Sequence, residues 1–341
     1  MDAKPQLSRD GEGSPSRERH EALEAGSAGV SSGAVAAGIT PAVETLNLRK
    51  SYGQQVAVAG LTLAVSPGEI FGFLGPNGAG KSTVVKMLMG LIFPSGGTAR
   101  LLGRPIGDPA VKARIGFLPE HFRFHEWLQA GEFLEFHGSL YGMRPDRRRQ
   151  RIAEVLALVG LTNRVKDRLH TFSKGMLQRI GVAQALLNDP EIVFLDEPTS
   201  ALDPLGRREV RDLIRKLKAQ GKTVFLNSHL LSEVEMVCDR VAILDHGRVV
   251  RHGLLRDLLG NGQEVELQIG NLTPALRQEL SQRYGLLHAD GATLTLAVAV
   301  REDIPAIAEI VIRGGGRLYG LTARRVSLED LFVSVVEGGA E

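Results

Sequence analysis

The sequence of 341 residues predicts an α/β fold with a mainly parallel sheet and a helical insertion, followed by a small α+β unit. One observation is that buried-strand patterns at residues 192–195, 223–226 and 241–244 alternate with helical patterns such as 210–219. Strands that alternate with helices are typical of a parallel sheet, which binds ligands at the carboxyl ends of its strands. The other observation is a glycine-rich segment that connects an apolar strand pattern at 70–74 to a helix.

The glycine-rich segment at residues 75–83 reads Gly-Pro-Asn-Gly-Ala-Gly-Lys-Ser-Thr, and residues 75–82 fit the pattern G-x-x-x-x-G-K-[ST]. A strand before it and a helical pattern at 82–91 after it form the context that this phosphate-binding pattern needs. Glycines allow turn conformations that side chains exclude, and free N–H groups at a helix N-terminus attract anions. A turn without chemical importance is the alternative. We predict phosphate contacts from Gly75, Asn77, Gly78, Gly80, Lys81, Ser82 and Thr83.

Charged and hydroxyl side chains near this segment predict a metal site and a catalytic base. Lys81 adds a positive charge for the β- and γ-phosphates, and Ser82 adds a hydroxyl group for Mg²⁺. Asp196 and Glu197 follow the strand pattern at 192–195, at the same edge of the predicted sheet. We expect Asp196 to hold Mg²⁺, directly or through water, and Glu197 to polarise the water that attacks the γ-phosphorus. The alternative is an acidic pair that only begins a loop.

Composition describes a globular protein and argues against some functions. The 41 basic and 39 acidic residues give a net charge of +2, which gives no support for nucleic-acid binding. Cys238 is the single cysteine, so an internal disulfide is excluded, and its apolar neighbours predict a buried thiol. We find no run of ~20 apolar residues that would cross a bilayer, and no signal-peptide pattern at the N-terminus.

Domain boundaries follow from changes in composition and pattern. Residues 1–41 are rich in Gly, Ser, Ala and charged side chains, which predicts a disordered tail. Residues 42–260 form the predicted α/β domain, with the helical insertion at about 126–180. Residues 261–341 follow a β-α-β-β-α-β order with a terminal helix, which predicts a small ferredoxin-like α+β domain.

The helical insertion is predicted to contain two helices. Asp146 is the predicted N-cap of the second helix. The first helix is predicted from residues spaced for one helix face: Phe133, Leu134, His137, Leu140 and Tyr141.

Further motifs follow one another in an order that resembles the nucleotide-binding subunits of ABC transporters. Residues 172–176, Phe-Ser-Lys-Gly-Met, resemble the signature motif of this family, and residues 200–203, Ser-Ala-Leu-Asp, resemble its D-loop. Ser228-His229, after a buried strand, resembles the switch histidine. The resemblance covers about residues 43–255, and the joint order of the motifs is far more specific than any one of them.

The resemblance implies ATP and Mg²⁺ as cofactors and assigns further site residues. Tyr52 lies where an aromatic residue stacks on adenine, and Glu120 lies where a glutamine senses the γ-phosphate and Mg²⁺. His229 would hydrogen-bond the γ-phosphate and the attacking water. Ser173 and Gly175 begin a predicted helix and would bind the γ-phosphate held by the loop of a second copy. Structural roles are the alternatives: helix capping for Ser173, and packing for Tyr52 and His229.

Two departures from the family pattern are visible. Glu120 replaces the usual glutamine, which adds a negative charge near Mg²⁺ and removes a hydrogen-bond donor. Lys174 and Met176 replace the first glycine and the glutamine of the signature motif, so a positive charge lies near the γ-phosphate site. These variants, the ending Leu-Glu-Asp-Leu-Phe at 328–332 and the ferredoxin-like unit resemble the ABC-2 class of exporters.

The predicted function is an ATP-hydrolysing subunit of an ABC-type exporter. Two copies would enclose two ATP molecules and drive a separate transmembrane permease. The protein would be cytoplasmic and peripheral on the inner face of the cell membrane, with no nucleic-acid partner. Residues 122–127, which are rich in aromatic side chains, are the candidate docking surface for the permease. Packing of this segment against the chain's own helical insertion is the alternative.

Two other functions are weighed against this one. A soluble ABC ATPase without a transporter would act in translation or DNA repair. Translation-type members usually carry two cassettes, and repair-type members a long coiled coil, whereas this chain has one phosphate-binding motif and no sustained heptads. A regulatory protein that binds ATP without cleaving it is disfavoured by the presence of Glu197.

Overall fold

The computed structural model describes residues 39–200, 202–260, 263–298 and 303–337. Residues 1–38 of the predicted disordered tail lie outside these ranges. No helix within the described ranges is both long and apolar enough to cross a bilayer.

The main unit follows the predicted alternation of strands and helices. In chain order its elements are β1 (Val43–Tyr52), β2 (Gln55–Val65), β3 (Ile70–Leu74), α1 (Lys81–Leu88), β4 (Gly96–Leu101), β5 (Arg104–Pro105), α2 (Pro109–Lys112), β6 (Ile115–Leu118), α3 (Ala130–Leu140), α4 (Pro145–Leu158), α5 (Lys174–Leu186), β7 (Ile192–Asp196), α6 (Pro204–Ala219), β8 (Thr223–Asn227), α7 (Leu231–Val237), β9 (Arg240–Asp245), β10 (Arg248–Leu254) and α8 (Leu255–Leu259). They are followed by β11 (Gln263–Gly270), α9 (Pro274–Tyr284), β12 (Leu286–Asp290), β13 (Thr293–Val298), α10 (Ile304–Arg313), β14 (Arg317–Arg325) and α11 (Leu328–Glu337).

A six-stranded sheet in the order β10-β9-β3-β8-β7-β6 forms the centre of the main unit. All neighbouring strands pair in parallel except β10, which runs antiparallel to β9 at the edge. The predicted α/β fold is therefore confirmed. Strands β3, β7 and β8 are buried along their whole length, as in parallel sheets that are covered on both faces. Because β3, β8, β7 and β6 run in one direction, their carboxyl ends share one edge of the sheet.

A second, antiparallel sheet in the order β2-β1-β4-β5 lies beside α1. One apolar cluster contains residues of both sheets and of α1. Within it, the ring of Phe225 in β8 lies 5.2–5.5 Å from the rings of Phe71, Phe73 and Phe194. Aromatic pairs at such distances stabilise a core beyond their burial alone. This packing fixes the strand before the glycine-rich loop and the helix after it.

The helical insertion contains the two predicted helices, α3 and α4, with two differences in detail. Phe133 is buried on the predicted face of α3, but Leu140 is 68% exposed, because helical spacing marks a face without showing which part of it is covered. Helix α4 begins at Pro145 with Arg144 as its N-cap, so the prediction of Asp146 as the cap is wrong. The fixed φ of proline suits the first helical position, and it starts the helix one residue before Asp146.

The C-terminal sheet has the order β12-β13-β11-β14, and each neighbouring pair is antiparallel. Helices α9 and α10 cover one face of it, and their apolar residues join those of the strands in one cluster. Thr273 caps α9 by accepting a hydrogen bond from the N–H of Leu276 at 3.2 Å, with Pro274 at the first helical position. The strand and helix order of this unit is the β-α-β-β-α-β arrangement of ferredoxin-like folds.

The terminal helix α11 packs on the main unit. Leu328 is fully buried in an apolar cluster formed otherwise by the main unit, and Leu331 and Phe332 are partly buried against it. The N–H of Leu328 donates to Oε2 of Glu235 in α7 at 2.8 Å. The sequence groups this helix with residues 261–341, but its partner in the structure is α7, which begins two residues after His229.

Candidate active site

A cleft of about 520 Å³, named the first cleft, opens at the shared carboxyl edge of β3, β8, β7 and β6. The residues that line it are Tyr52, Gln55, Val56, Ala57, Asn77, Gly78, Gly80, Lys81, Ser82, Thr83, Glu120, Glu197, Asn227 and His229. The structure thus brings together most of the predicted nucleotide-site residues. Gly75 and Asp196 do not line the cleft themselves but are hydrogen-bonded to residues that do. Lys81 donates to the carbonyl oxygen of Gly75, and Asn227 donates to the carboxylate of Asp196.

The glycine-rich loop passes too close to neighbouring backbone for side chains at two positions. A Cβ atom on Gly80 would collide with the carbonyl oxygen of Ala57, and one on Gly75 with that of Leu244. Gly80 has a φ of 104°, a left-handed conformation that favours glycine. It begins α1 without a side-chain cap, so the first N–H groups of the helix are free to face the cleft. This is the arrangement that binds a phosphate group.

Lys81 is buried at the start of α1, 9% exposed. Its Nζ donates to the carbonyl oxygens of Gly75 at 2.6 Å and Pro76 at 3.1 Å. Burial lowers the pKa of Lys81, while the nearby carboxylates of Glu197, Asp196 and Glu120 act in the opposite direction. The ammonium group is therefore held inside the loop by neutral carbonyl groups, which a phosphate oxygen can replace.

Asp196 and Glu197 lie at the end of β7, and both are buried. Burial raises the pKa of Asp196, and the hydrogen bond from Asn227 Nδ2 to its Oδ1, at 2.5 Å, acts against that shift. The charges of Glu120 and Glu197 raise the pKa of Asp196 further. Three carboxylates thus surround one lysine, which is a favourable setting for a divalent cation.

The side chains of His229 and Glu197 are in contact where they line the first cleft. Nδ1 of His229 lies 2.8 Å from Oε2 of Glu197. Oε2 is buried, and within the described ranges no hydrogen bond of normal geometry reaches it. His229 itself is half exposed and Glu197 is not. This pair places a carboxylate and an imidazole side by side at the first cleft, where both can contact a water molecule or a phosphate oxygen.

Tyr52 and Glu120 both line the first cleft. Tyr52 is 50% exposed, and Nζ of Lys50 lies 5.0 Å from the centre of its ring. The phenol is thus available for stacking and is not part of the core. Glu120 follows β6 and contributes a third carboxylate near Lys81 and Asp196.

A second cleft of about 360 Å³ lies on a different part of the surface. Ser173 caps α5 there, and its Oγ accepts a hydrogen bond from the N–H of Met176 at 3.3 Å. The two clefts share no lining residue. Within one chain, the structure therefore does not bring Ser173 and Gly175 together with the glycine-rich loop. The second cleft is lined by Ser173, Lys174, Gly175, Arg179, Leu202, Asp203, Leu205, Gly206 and Glu209.

The donor set of the first cleft fits a magnesium–nucleotide complex. Mg²⁺ is usually held by one or two carboxylates together with phosphate oxygens and water. Ser82, Asp196 and Glu120 offer oxygen ligands of this kind, and the glycine-rich loop leaves room for phosphates. The described residues contain no preformed cluster of three metal-ligating side chains.

Sequence reasoning missed four lining residues: Gln55, Val56, Ala57 and Asn227. The first three belong to β2, which the antiparallel sheet brings to the cleft, and no local pattern marks them. Asn227 had a signal, because it is a polar residue at the end of the apolar run Thr-Val-Phe-Leu, directly before Ser228-His229.

Comparison with known proteins identifies the family. The model of the ABC transporter family matches residues 58–200. An uncharacterised ABC transporter ATP-binding protein of Synechocystis is 45% identical over 308 residues, which cover 85% of this chain and 83% of the relative. The chain belongs to the ABC transporter ATP-binding proteins. A Nod factor export ATP-binding protein of Cupriavidus metallidurans is 34% identical over 87% of this chain and 98% of its own length. A linearmycin resistance ATP-binding protein of Bacillus subtilis is 39% identical over 67% and 75%.

Solved structures of ABC ATP-binding subunits share the fold. One, described as the ATP-binding subunit of an ABC transporter, has a TM-score of 0.59 and 31% identity over 64% of this chain and 92% of its own. A dimeric ATP-binding cassette bound to ADP and Pi has a TM-score of 0.58 and 29% identity over 63% and 99%. This ABC protein is an ATPase subunit of a transporter, as the sequence predicted.

Gly75 provides a test of the loop. We expect Gly75→Ala to weaken ATP binding at least about tenfold, because the new Cβ collides with the carbonyl oxygen of Leu244 and displaces the loop. Titration with a fluorescent ATP analogue measures the effect. Gly142→Ala is the matched control, since Gly142 also has a positive φ, 68°, but open space around it. Equal ATP affinity in both variants would contradict the assigned role of the loop.

Proposed function

We propose that this chain is the ATP-hydrolysing subunit of an ABC exporter and acts as a pair with a separate transmembrane permease. Residues 42–260 form the ATPase domain and 261–341 an accessory domain. The observation that carries the proposal is the separation of the two clefts: one chain has the phosphate-binding loop and the serine-capped helix on different surfaces. Two copies in opposite orientation would complete two sites.

Nucleotide binding rests on the first cleft. Lys81 and the N–H groups of the loop bind the β- and γ-phosphates, and Tyr52 stacks on the adenine ring. Ser82, Asp196 and Glu120 provide the oxygen ligands for Mg²⁺. Bound Mg²⁺ supplies positive charge to the β- and γ-phosphate oxygens.

Hydrolysis rests on Glu197 and His229. Glu197 accepts a hydrogen bond from the attacking water through its carboxylate, whose Oε2 has no hydrogen bond of normal geometry within the described ranges. His229, 2.8 Å from Oε2 of Glu197, hydrogen-bonds the γ-phosphate and the attacking water. Asp196 stays bound to Asn227 and does not compete for the water.

The second copy closes the site. Ser173, Gly175 and the N-terminus of its α5 would face the γ-phosphate across the dimer interface. Lys174 adds a positive charge at the same end of the helix. The relative solved as a dimer with ADP and Pi supports this arrangement.

Transport requires a partner that crosses the membrane. Relatives named for Nod factor export and linearmycin resistance support an exporter over an ATPase of translation or DNA repair. The permease would hold this chain at the cytoplasmic face of the membrane, and no nucleic acid is involved.

The docking surface is narrower than residues 122–127. Phe122 and Phe124 pack on Phe133 with ring distances of 6.1 and 5.7 Å, as the alternative predicted. Trp127 is 69% exposed and lies 5.2 Å from the ring of His125. With the half-exposed Phe136, these two rings form an outward aromatic patch. We assign the permease contact to this patch of His125, Trp127 and Phe136.

Glu197→Gln tests the catalytic base. The variant should bind ATP and Mg²⁺ within about threefold of the wild type, and its turnover should fall at least about a hundredfold, because an amide does not accept the proton. Steady-state phosphate release measures turnover. Glu191→Gln is the control, as the Glu191 side chain is exposed and bonds only to Arg114 among the described residues. Turnover at the wild-type rate in Glu197→Gln would remove Glu197 from the base role.

Ser173→Arg tests the shared site. The long side chain fills the second cleft, so hydrolysis should be lost while isolated chains still bind ATP in the first cleft. Turnover per chain in the wild type should rise with protein concentration. Ser139→Arg, at an exposed serine outside both clefts, should behave as the wild type. Full-rate hydrolysis by monomers would refute the dimer.

Trp127→Ala tests the docking patch. The share of the chain that sediments with membranes of its own cells should fall at least about tenfold, as expected for a central aromatic contact. ATPase activity of the purified chain should not change, because Trp127 is exposed and lines neither cleft, so its loss should leave the core and the nucleotide site intact. Tyr319→Ala, at a tyrosine 70% exposed in the C-terminal sheet, is the control. Undiminished sedimentation of Trp127→Ala would exclude the patch.

A further inference from the structure

Asn227 occupies a position between Asp196 and the first cleft. It is the last residue of β8, 3% exposed, and it pairs with Asp196 of β7 on one side and Phe73 of β3 on the other. Asn227 lines the cleft, whereas Asp196 lies behind it. Asn227 thus lies between Asp196 and part of the cleft.

Hydrogen bonding fixes the orientation of this amide. Nδ2 of Asn227 donates to Oδ1 of Asp196 at 2.5 Å. A carboxylate only accepts, so the amide nitrogen must face Asp196 and the amide oxygen must face away from it. Within the described ranges no donor reaches that oxygen, Oδ1, although it is buried.

A buried acceptor without a donor costs about 1–3 kcal/mol, and native structures rarely keep one without a reason. The charged groups around Asn227 do not supply a donor. Asp196, Glu197 and Glu120 are acceptors, and Lys81 donates to Gly75 and Pro76. A ligand in the first cleft can supply this donor. Mg²⁺ bound to a nucleotide keeps several water molecules, and each of them is a strong donor.

We propose that Asn227 is a positioning residue for the magnesium–nucleotide complex. Its NH₂ group holds Asp196 in one orientation, and its oxygen accepts a hydrogen bond from a water molecule of the metal shell. The backbone adds to this coupling, because the N–H of Glu197 donates to the carbonyl oxygen of Asn227 at 2.8 Å. Asp196, the proposed metal ligand, and Glu197, the proposed base, are thus both hydrogen-bonded to Asn227. This inference rests on the proposed function.

The test measures Mg²⁺ dependence of ATP binding in the full chain, with and without a chelator. Groups that support metal ligands typically change metal affinity 10–100-fold when lost. Asn227→Leu keeps the branched shape of the side chain and removes both polar atoms. We expect the Mg²⁺ concentration for half-maximal ATP binding to rise at least about tenfold. Affinity for ATP in excess chelator should stay near the wild-type value, because the loop is untouched.

Thr223→Val is the matched control. Thr223 is the first residue of the same strand, 2% exposed, and its Oγ1 accepts a hydrogen bond from the N–H of Gly68 at 2.9 Å. The control also deletes a buried hydrogen bond of β8, but at the end remote from the cleft. It should show the wild-type Mg²⁺ requirement, so a general loss of stability is separated from a loss of metal positioning.

The outcomes are distinct. An unshifted Mg²⁺ requirement in Asn227→Leu, or an equal shift in Thr223→Val, overturns the inference. If Asn227→Leu does not fold, Asn227→Ala removes both polar atoms with a smaller side chain, and its Mg²⁺ requirement must rise at least about threefold. An unchanged value there also overturns the inference. ATP binding by the wild type that does not depend on Mg²⁺ would instead overturn the metal site of the proposed function.

Discussion

Repulsion between a nucleotide triphosphate and the carboxylates of the first cleft is the constraint on which the rest of the structure depends. Asp196, Glu197 and Glu120 lie around a single buried ammonium group, that of Lys81. A triphosphate adds several negative charges to this excess. The N-terminus of α1 offsets only part of them, since a helix end is equivalent to about half a charge. In the proposed dimer, a divalent cation and a second helix N-terminus, that of α5 with Lys174, would supply the positive charge that one chain lacks.

The parallel sheet places these charges because its strand ends lie side by side. Asp196 and Asn227 are paired across β7 and β8, so their side chains meet without a long loop. Glu197 then takes a left-handed φ of 53°, which is rare for a residue with a side chain. Its N–H donates to Asn227, and its carbonyl oxygen accepts from Oγ of Ser200 at 3.1 Å. These bonds hold a strained residue so that its carboxylate faces the cleft.

Contacts within one motif could be predicted from the sequence, but contacts between motifs could not. The loop and its helix are contiguous, and the pattern at 75–82 fixes their geometry. The approach of His229 to Glu197 depends on β8 lying beside β7, which no local pattern states. Leu140 shows the opposite failure, since it follows a local rule that the tertiary structure overrides, whereas the prediction for Asp146 lost to another local signal, Pro145 at the first helical position. Asn227 is an intermediate case. The sequence shows a polar residue at the end of a strand, but it does not show that Asp196 is its hydrogen-bond partner.

The position of α11 makes the C-terminal unit part of the main fold. Its sheet has its own apolar cluster, so residues up to β14 satisfy their burial without help. Leu328 is not part of that cluster, because it is fully buried against residues of the main unit. A chain that ended after β14 would therefore expose the surface of α7 that Leu328 and Phe332 cover, and leave Glu235 without its backbone donor. Since α7 begins two residues after His229, the terminal helix supports the part of the main unit that carries this histidine.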